Sequence, residues 1–177
     1  MTDWIQTFSG RKFHSMAPRP EEVFIEDIAH SLSLLCRFNG HCKRYYSVAD
    51  HSVRVSRILP AELRLWGLLH DAGEAYLTDL PRPVKKGLPQ FSEIEDRVLE
   101  QVALRFGLSW PMPRAVKDAD NLLLATEARD LMAPPAGDWK LGVDPLPERI
   151  EPLGPEEAER LFLQEFHALR AQAHEQR

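Results

Sequence analysis

Leu63-Arg64-Leu65-Trp66-Gly67-Leu68-Leu69-His70-Asp71-Ala72-Gly73-Glu74-Ala75-Tyr76 is the stretch on which the reading of this chain turns. Its apolar residues recur at helical spacing after Pro60, which predicts one continuous helix carrying Leu63, Trp66, Leu69, His70, Gly73 and Tyr76 until Asp79-Leu80-Pro81-Arg82-Pro83 forces an extended turn. On such a helix His70 and Glu74 share a face and Asp71 flanks them. A His-Asp pair alone is usually a core histidine beside a surface charge. Here three ionisable groups sit among leucines, alanines and a tryptophan, where charge is expensive unless paired or bound to metal.

The flanking sequence is helical too. Ile25, Ile28, Ala29, Leu32, Leu35 and Cys36 share a face of a first helix that Asn39-Gly40 stops. Ser47 with Asp50 resembles a capping box and opens a second helix, carrying His51, Val55 and Ile58 up to Pro60. A further helix over about 91–106 buries Ile94, Val98, Val102 and Phe106 and ends at Gly107. Another, about 114–132, turns Val116, Asp120, Leu123, Leu124 and Glu127 inward, so two acids lie on an apolar face. Residues 133–155 hold six of the fourteen prolines (134, 135, 145, 147, 152 and 155), which excludes long helices and predicts an ordered wrap or a mobile surface segment away from the function. A last helix over 156–172 carries Leu161, Phe162, Phe166 and Leu169, before a polar tail. The aromatic runs around Ser9-Gly10 predict a small hairpin or extended arm within residues 1–20. The expected fold class is all-α, a single domain over residues 1–177.

With 22 basic and 27 acidic residues the net charge is −5, which disfavours a polymeric nucleic-acid partner. No apolar run reaches membrane-spanning length and the first residues lack a signal-peptide pattern, so no membrane and a cytoplasmic location are expected. In that reducing compartment Cys36 and Cys42 read as free thiols rather than a disulfide. His14, His30, His167 and His174 read as structural or exposed, Asp118 as solvated, and Trp4, Trp66, Trp110 and Trp139 as packing rather than base-stacking platforms. Two imidazoles (His51, His70) and two carboxylates (Asp71, Asp120) suit one divalent transition metal such as Co, Mn, Zn, Ni or Fe, with positions open for water and substrate.

His51, His70-Asp71 and Asp120 together resemble the H…HD…D signature of the HD-domain metal-dependent phosphohydrolases. His70-Asp71-Ala72-Gly73-Glu74, continued through Asp79-Leu80-Pro81-Arg82-Pro83-Val84-Lys85, is similar to the HD-x-x-E-x-x-x-x-D-L-P-x-P-x-K run of the 5′-deoxynucleotidase branch, bacterial and prophage members included. Arg37-Phe38 stands fourteen residues before His51, where that branch carries an Arg-Trp pair. The resemblance implies an HD helical bundle in which His51, His70, Asp71 and Asp120 ligate the metal and Glu74 handles the proton of the attacking water. It implies that Arg37 binds phosphate and Asp79 receives the sugar 3′-hydroxyl. Phe38, smaller than Trp, implies looser discrimination against ribose. Lys85 and His41 are further candidates for substrate contact. The expected activity is release of orthophosphate from (deoxy)nucleoside 5′-monophosphates by a homodimer or higher homo-oligomer. A deoxynucleoside triphosphate triphosphohydrolase and a non-catalytic nucleotide-binding regulatory module are the alternatives.

Overall fold

A computed structural model describes residues 3–137 and 139–175. The expected arm is a hairpin of β1 (Ile5–Gln6) and β2 (Lys12–Phe13), antiparallel with Ile5 opposite Phe13. The Asp27 carboxylate ties its turn down, accepting from the Ser9 N–H (2.7 Å) and hydroxyl (2.9 Å). Everything else of regular structure among the described residues is helical: α1 (Ile25–Leu34), α2 (Val48–Ile58), α3 (Arg64–Leu69), α4 (Glu74–Leu77), α5 (Arg82–Lys86), α6 (Pro89–Phe106), α7 (Arg114–Leu131), α8 (Pro155–Glu175) and short 3-10 turns. The fold is all-α, as the periodicity predicts.

α2 is the central helix, packed against α1, α3, α7 and α8. Ser47 caps it, its hydroxyl accepting from the Asp50 N–H at 3.1 Å. Asp50 does not close the reciprocal half of the box. Its carboxylate instead accepts from Arg54 (2.8 Å) and from the Leu153 N–H (2.9 Å), which pins the Pro-rich segment to the bundle. The buried faces of α7 and α8 hold the residues expected of them, with Phe162 and Glu127 fully enclosed.

Five expectations need correction. The first helix ends at Leu34; Cys36 instead bridges to Ser47, and residues 37–40 form a 3-10 turn. The single helix through His70 is broken into α3 and α4. Between them Ala72, Glu74, Ala75 and Tyr76 donate to carbonyls three residues back, those of Leu69, Asp71, Ala72 and Gly73, at 3.0–3.3 Å. This tighter winding brings residues three apart into line, so Asp71 rather than His70 is eclipsed with Glu74. The turn after Asp79 is not extended throughout, because Pro81 and Pro83 start a short helix, α5. The helix after it begins at Pro89, and the last one spans Pro155–Glu175, longer than the 156–172 expected.

The Pro-rich segment is an ordered wrap: Thr126 accepts from the Leu146 N–H (2.9 Å) and Asp130 from the Ile150 N–H (3.0 Å). His14 pairs with Glu22 and His30 with Glu159, both structural as expected. The His174 side chain lies outside the described residues. None of the described helices is long and apolar enough to cross a membrane.

Gly67 sets how closely α3 approaches α2. A Cβ there would stand 2.9 Å from the Ser56 Cα and 2.5 Å from a Leu59 methyl, so a larger residue must part the two helices. Gly67→Ala is expected to lower stability by about 1 kcal/mol or more, because overpacking of about 1–3 kcal/mol exceeds the helix-propensity gain of about 1 kcal/mol. A denaturant titration of both proteins reads this. An unchanged or raised midpoint would show that the helices yield freely.

Candidate metal centre

The close crossing of α2 and α3 brings two imidazoles together from different helices. His51 Nε2 lies 3.2 Å from His70 Nε2, both rings being buried. The far nitrogen of each ring is engaged: His51 Nδ1–H donates to Glu127 Oε1 at 2.6 Å, and His70 Nδ1–H to the Gly67 carbonyl at 2.7 Å. Those bonds fix the tautomers and turn both Nε2 lone pairs towards one point. Asp120 on α7 brings Oδ1 to 3.4 Å from His51 Nε2, while Arg82 (3.0 Å) and Lys117 (2.7 Å) hold its other oxygen. Asp71 Oδ2 lies 3.2 Å from His70 Nε2 and 3.6 Å from His51 Nε2.

His51, His70 and Asp120 form a buried group whose ligand atoms lie within 4.8 Å of one another, and it could hold a metal ion. Asp71 is within reach as a fourth ligand. Two acceptor lone pairs at 3.2 Å repel unless a cation lies between them, so the donor set fits a metal of the borderline class. Despite burial, His70 holds the Asp71 carboxyl below its ordinary range, and His51 does the same for Asp120.

A proton is the alternative cation. Burial and the Arg37 charge push His51 down, but Glu127 and Asp120 outweigh them and its ring titrates at about 9. In the metal-free chain His51 is therefore protonated at neutral pH, and a metal must displace that proton. Apparent affinity should rise about tenfold per pH unit below about 9, the range from pH 6.5 to 9 included, and then level off. Titrating metal-free protein with Mn²⁺ across that range measures the slope. A flat profile would mean that no proton leaves the site.

Glu127 is the residue that sequence reasoning passed over as a site residue. Fully buried, it accepts from His51 through one oxygen and from Arg37 Nη2 through the other, at 3.0 Å. Burial alone would push its carboxyl up, yet Arg37 and His51 hold it below the usual range. Its signal lay two turns beyond Asp120 on the same face. Glu127→Gln keeps the volume but loses the charge that orients both partners, and is expected to weaken metal binding about 10- to 100-fold with the fold retained. Calorimetric titration of the metal reads the change, and an unaltered affinity would make Glu127 a packing residue only.

The centre lies at the base of a cavity of about 960 Å³, whose wall includes Arg37, Phe38, His41, Asp71, Glu74, Asp79, Lys85 and Asp120. Every candidate but the two enclosed histidines thus faces one space. Glu74 is buried and its Oε2 has no hydrogen-bond partner; Lys85 Nζ stands 3.6 Å from Oε1 and bonds Glu95 at 2.5 Å. Burial, reinforced by Asp71 and Asp79, raises the Glu74 carboxyl well above its ordinary range. Asp79 is also raised by burial, against the Arg37 charge.

Arg37 lines the cavity although it is largely buried, with Nη1 at 3.6 Å from Asp71. Phe38 takes φ 57°, a conformation L-residues rarely adopt, and Asn39 takes φ 51°. The expectation that residues 133–155 stand apart from the function is corrected by Trp139, Lys140 and Leu141, which line the same cavity. The Trp139 ring centroid lies 6.2 Å from that of Phe38, so Trp139 belongs to the aromatic edge of the cavity.

No family model matches the sequence. The chain is 38% identical to the uncharacterized protein YfdR of Escherichia coli K12, over 94% of this chain and 95% of that protein. It is 37% identical to an uncharacterized protein of Rhodobacter capsulatus over 72% of each. Such identity over nearly the full length of both chains places this protein in the same family as YfdR.

Proposed function

We propose that this chain is an HD-domain metal-dependent phosphohydrolase that releases orthophosphate from deoxynucleoside 5′-monophosphates. The observation that carries the reading is the convergence of two Nε2 atoms and two carboxylates at the base of a cavity that also holds Glu74, whose Oε2 has no hydrogen-bond partner. Histidine and carboxylate ligands with an open side suit hydrolysis of a phosphate ester, whereas a closed structural site has no use for a free acid beside it.

A metal held by His51, His70, Asp71 and Asp120 would supply Lewis-acid polarisation of the phosphoryl group and lower the pKa of water. The chain's own residues supply the rest. Glu127 fixes the His51 ring and the Arg37 guanidinium, so the charge of Arg37 is set before substrate arrives. Arg37 compensates the phosphoryl charge from below. Glu74 accepts the proton of the attacking water at Oε2 and passes it to the departing 5′-oxygen, a task for which a raised carboxyl is suited. Asp79, which lines the same cavity, accepts a hydrogen bond from the sugar hydroxyl.

A triphosphate substrate is the second reading, because Arg82, Lys86 and Lys117 also line the cavity. Arg82 and Lys117 are engaged by Asp120, which leaves fewer cations for extra phosphates and favours the monophosphate. The test is metal-loaded protein offered dAMP, AMP, 3′-dAMP and dATP. Orthophosphate from dAMP, with 3′-dAMP inert, is expected. Inorganic triphosphate from dATP with none from dAMP would establish the triphosphohydrolase instead, and silence on all four would leave a binding module.

A further inference from the structure

Five residues separate Cys36 from Cys42, and four of them, Arg37, Phe38, Asn39 and His41, line the cavity. The two Sγ atoms are 3.6 Å apart, in contact but not bonded, and both side chains are half-buried. The backbone holds them there. Cys36 bridges to Ser47, the Arg37 N–H donates to the Tyr46 carbonyl (2.9 Å), and the Lys43 N–H donates to the Leu131 carbonyl (2.8 Å). Between these anchors Phe38, Asn39 and Gly40 all take positive φ (57°, 51° and 77°), and this coil folds the loop back on itself. Nothing in the proposed hydrolysis uses either thiol.

We propose that Cys36 and Cys42 form a reversible disulfide, by exchange with a low-molecular-weight disulfide, and that this bond reshapes the cavity wall made by the intervening loop. One thiolate attacks a sulfur of the small disulfide and expels one small thiol, giving a mixed disulfide. The other cysteine, already in contact, attacks the protein sulfur and expels the second. The protein loses two electrons and two protons, and the small disulfide becomes two thiols. The resting form is the dithiol that the structure shows, with both thiols free.

Bond formation shortens the sulfur separation from 3.6 Å to roughly 2.0 Å. The part of that shift not taken up by side-chain rotation falls on the loop between the two cysteines, which is anchored at both ends, and moves Phe38 and His41. The metal ligands lie on α2, α7 and the turn after α3 and keep their places.

The test incubates the full-length protein with oxidised glutathione. An intact mass lower by two hydrogens, loss of both reactive thiols, reversal by dithiothreitol and unchanged metal content are expected. The specificity constant for dAMP should fall on the order of tenfold or more, since about an ångström of displacement can cost about 10²-fold. Cys42→Ser has no second thiol to resolve the mixed disulfide, so under the same treatment it should carry at most one glutathione on Cys36 and never show the mass lower by two hydrogens. Stable glutathione adducts on both cysteines, or no change in mass, would overturn the bond. A formed bond with an unchanged specificity constant would overturn its coupling to the cavity. That coupling rests on the phosphohydrolase reading, whereas mass and thiol counts decide the bond even if reduced protein hydrolyses no nucleotide.

Discussion

Protein carrying His70→Ala should purify folded and free of metal, and should release no orthophosphate from dAMP above background. His70 sits at the end of α3, where its Nε2 meets His51 Nε2. The substitution removes one of two nitrogen donors and the nearest of the groups that stabilise the Asp71 charge. The loss of turnover should exceed the roughly 10²–10⁴-fold of a single proton-transfer group. Asp120→Ala should behave alike from a different helix, and it also frees Arg82 and Lys117. Elemental analysis beside a phosphate-release assay reads both variants. Stoichiometric metal in the two of them would show that the ligands lie elsewhere.

Glu74→Gln should separate binding from chemistry. The side chain is buried, its Oε2 is unpartnered and its carboxyl is pushed towards the neutral form, so a neutral isostere keeps the shape without a new desolvation cost. Metal content and stability should hold, while kcat falls about 10²- to 10⁴-fold. The limb of the pH profile that belongs to this carboxyl should disappear with it. Near-wild-type turnover would remove Glu74 from the mechanism and leave its raised pKa a consequence of burial alone.

Much of this was legible in the residues, for identifiable reasons. α7 keeps a clean 3.6-residue period over five turns, so the inward positions of Asp120 and Glu127 follow from counting. Ser47 announces α2 because a capping hydroxyl is a local device. The tightening between α3 and α4 was not legible, since Ala72 and Gly73 read as helix interior and nothing in their local sequence signals a change of winding. Glu127 was visible as an acid on an apolar face, but its two partners come from α2 and from the loop after α1, a long-range fact that no period encodes. Trp139 reaches the cavity through an irregular segment with no period at all. The left-handed turn at Phe38 and Asn39 had only Asn39-Gly40 to signal it, and that pair reads equally well as a helix stop.

One ion at one place underlies the proposed chemistry. Anomalous diffraction from crystals of the protein grown with Mn²⁺ tests this most directly. A single peak is expected among His51 Nε2, His70 Nε2 and carboxylate oxygens of Asp71 and Asp120, at distances of roughly 2.0–2.3 Å. No peak between the two imidazoles, with a proton-bridged His51 and His70 in its place, would contradict it.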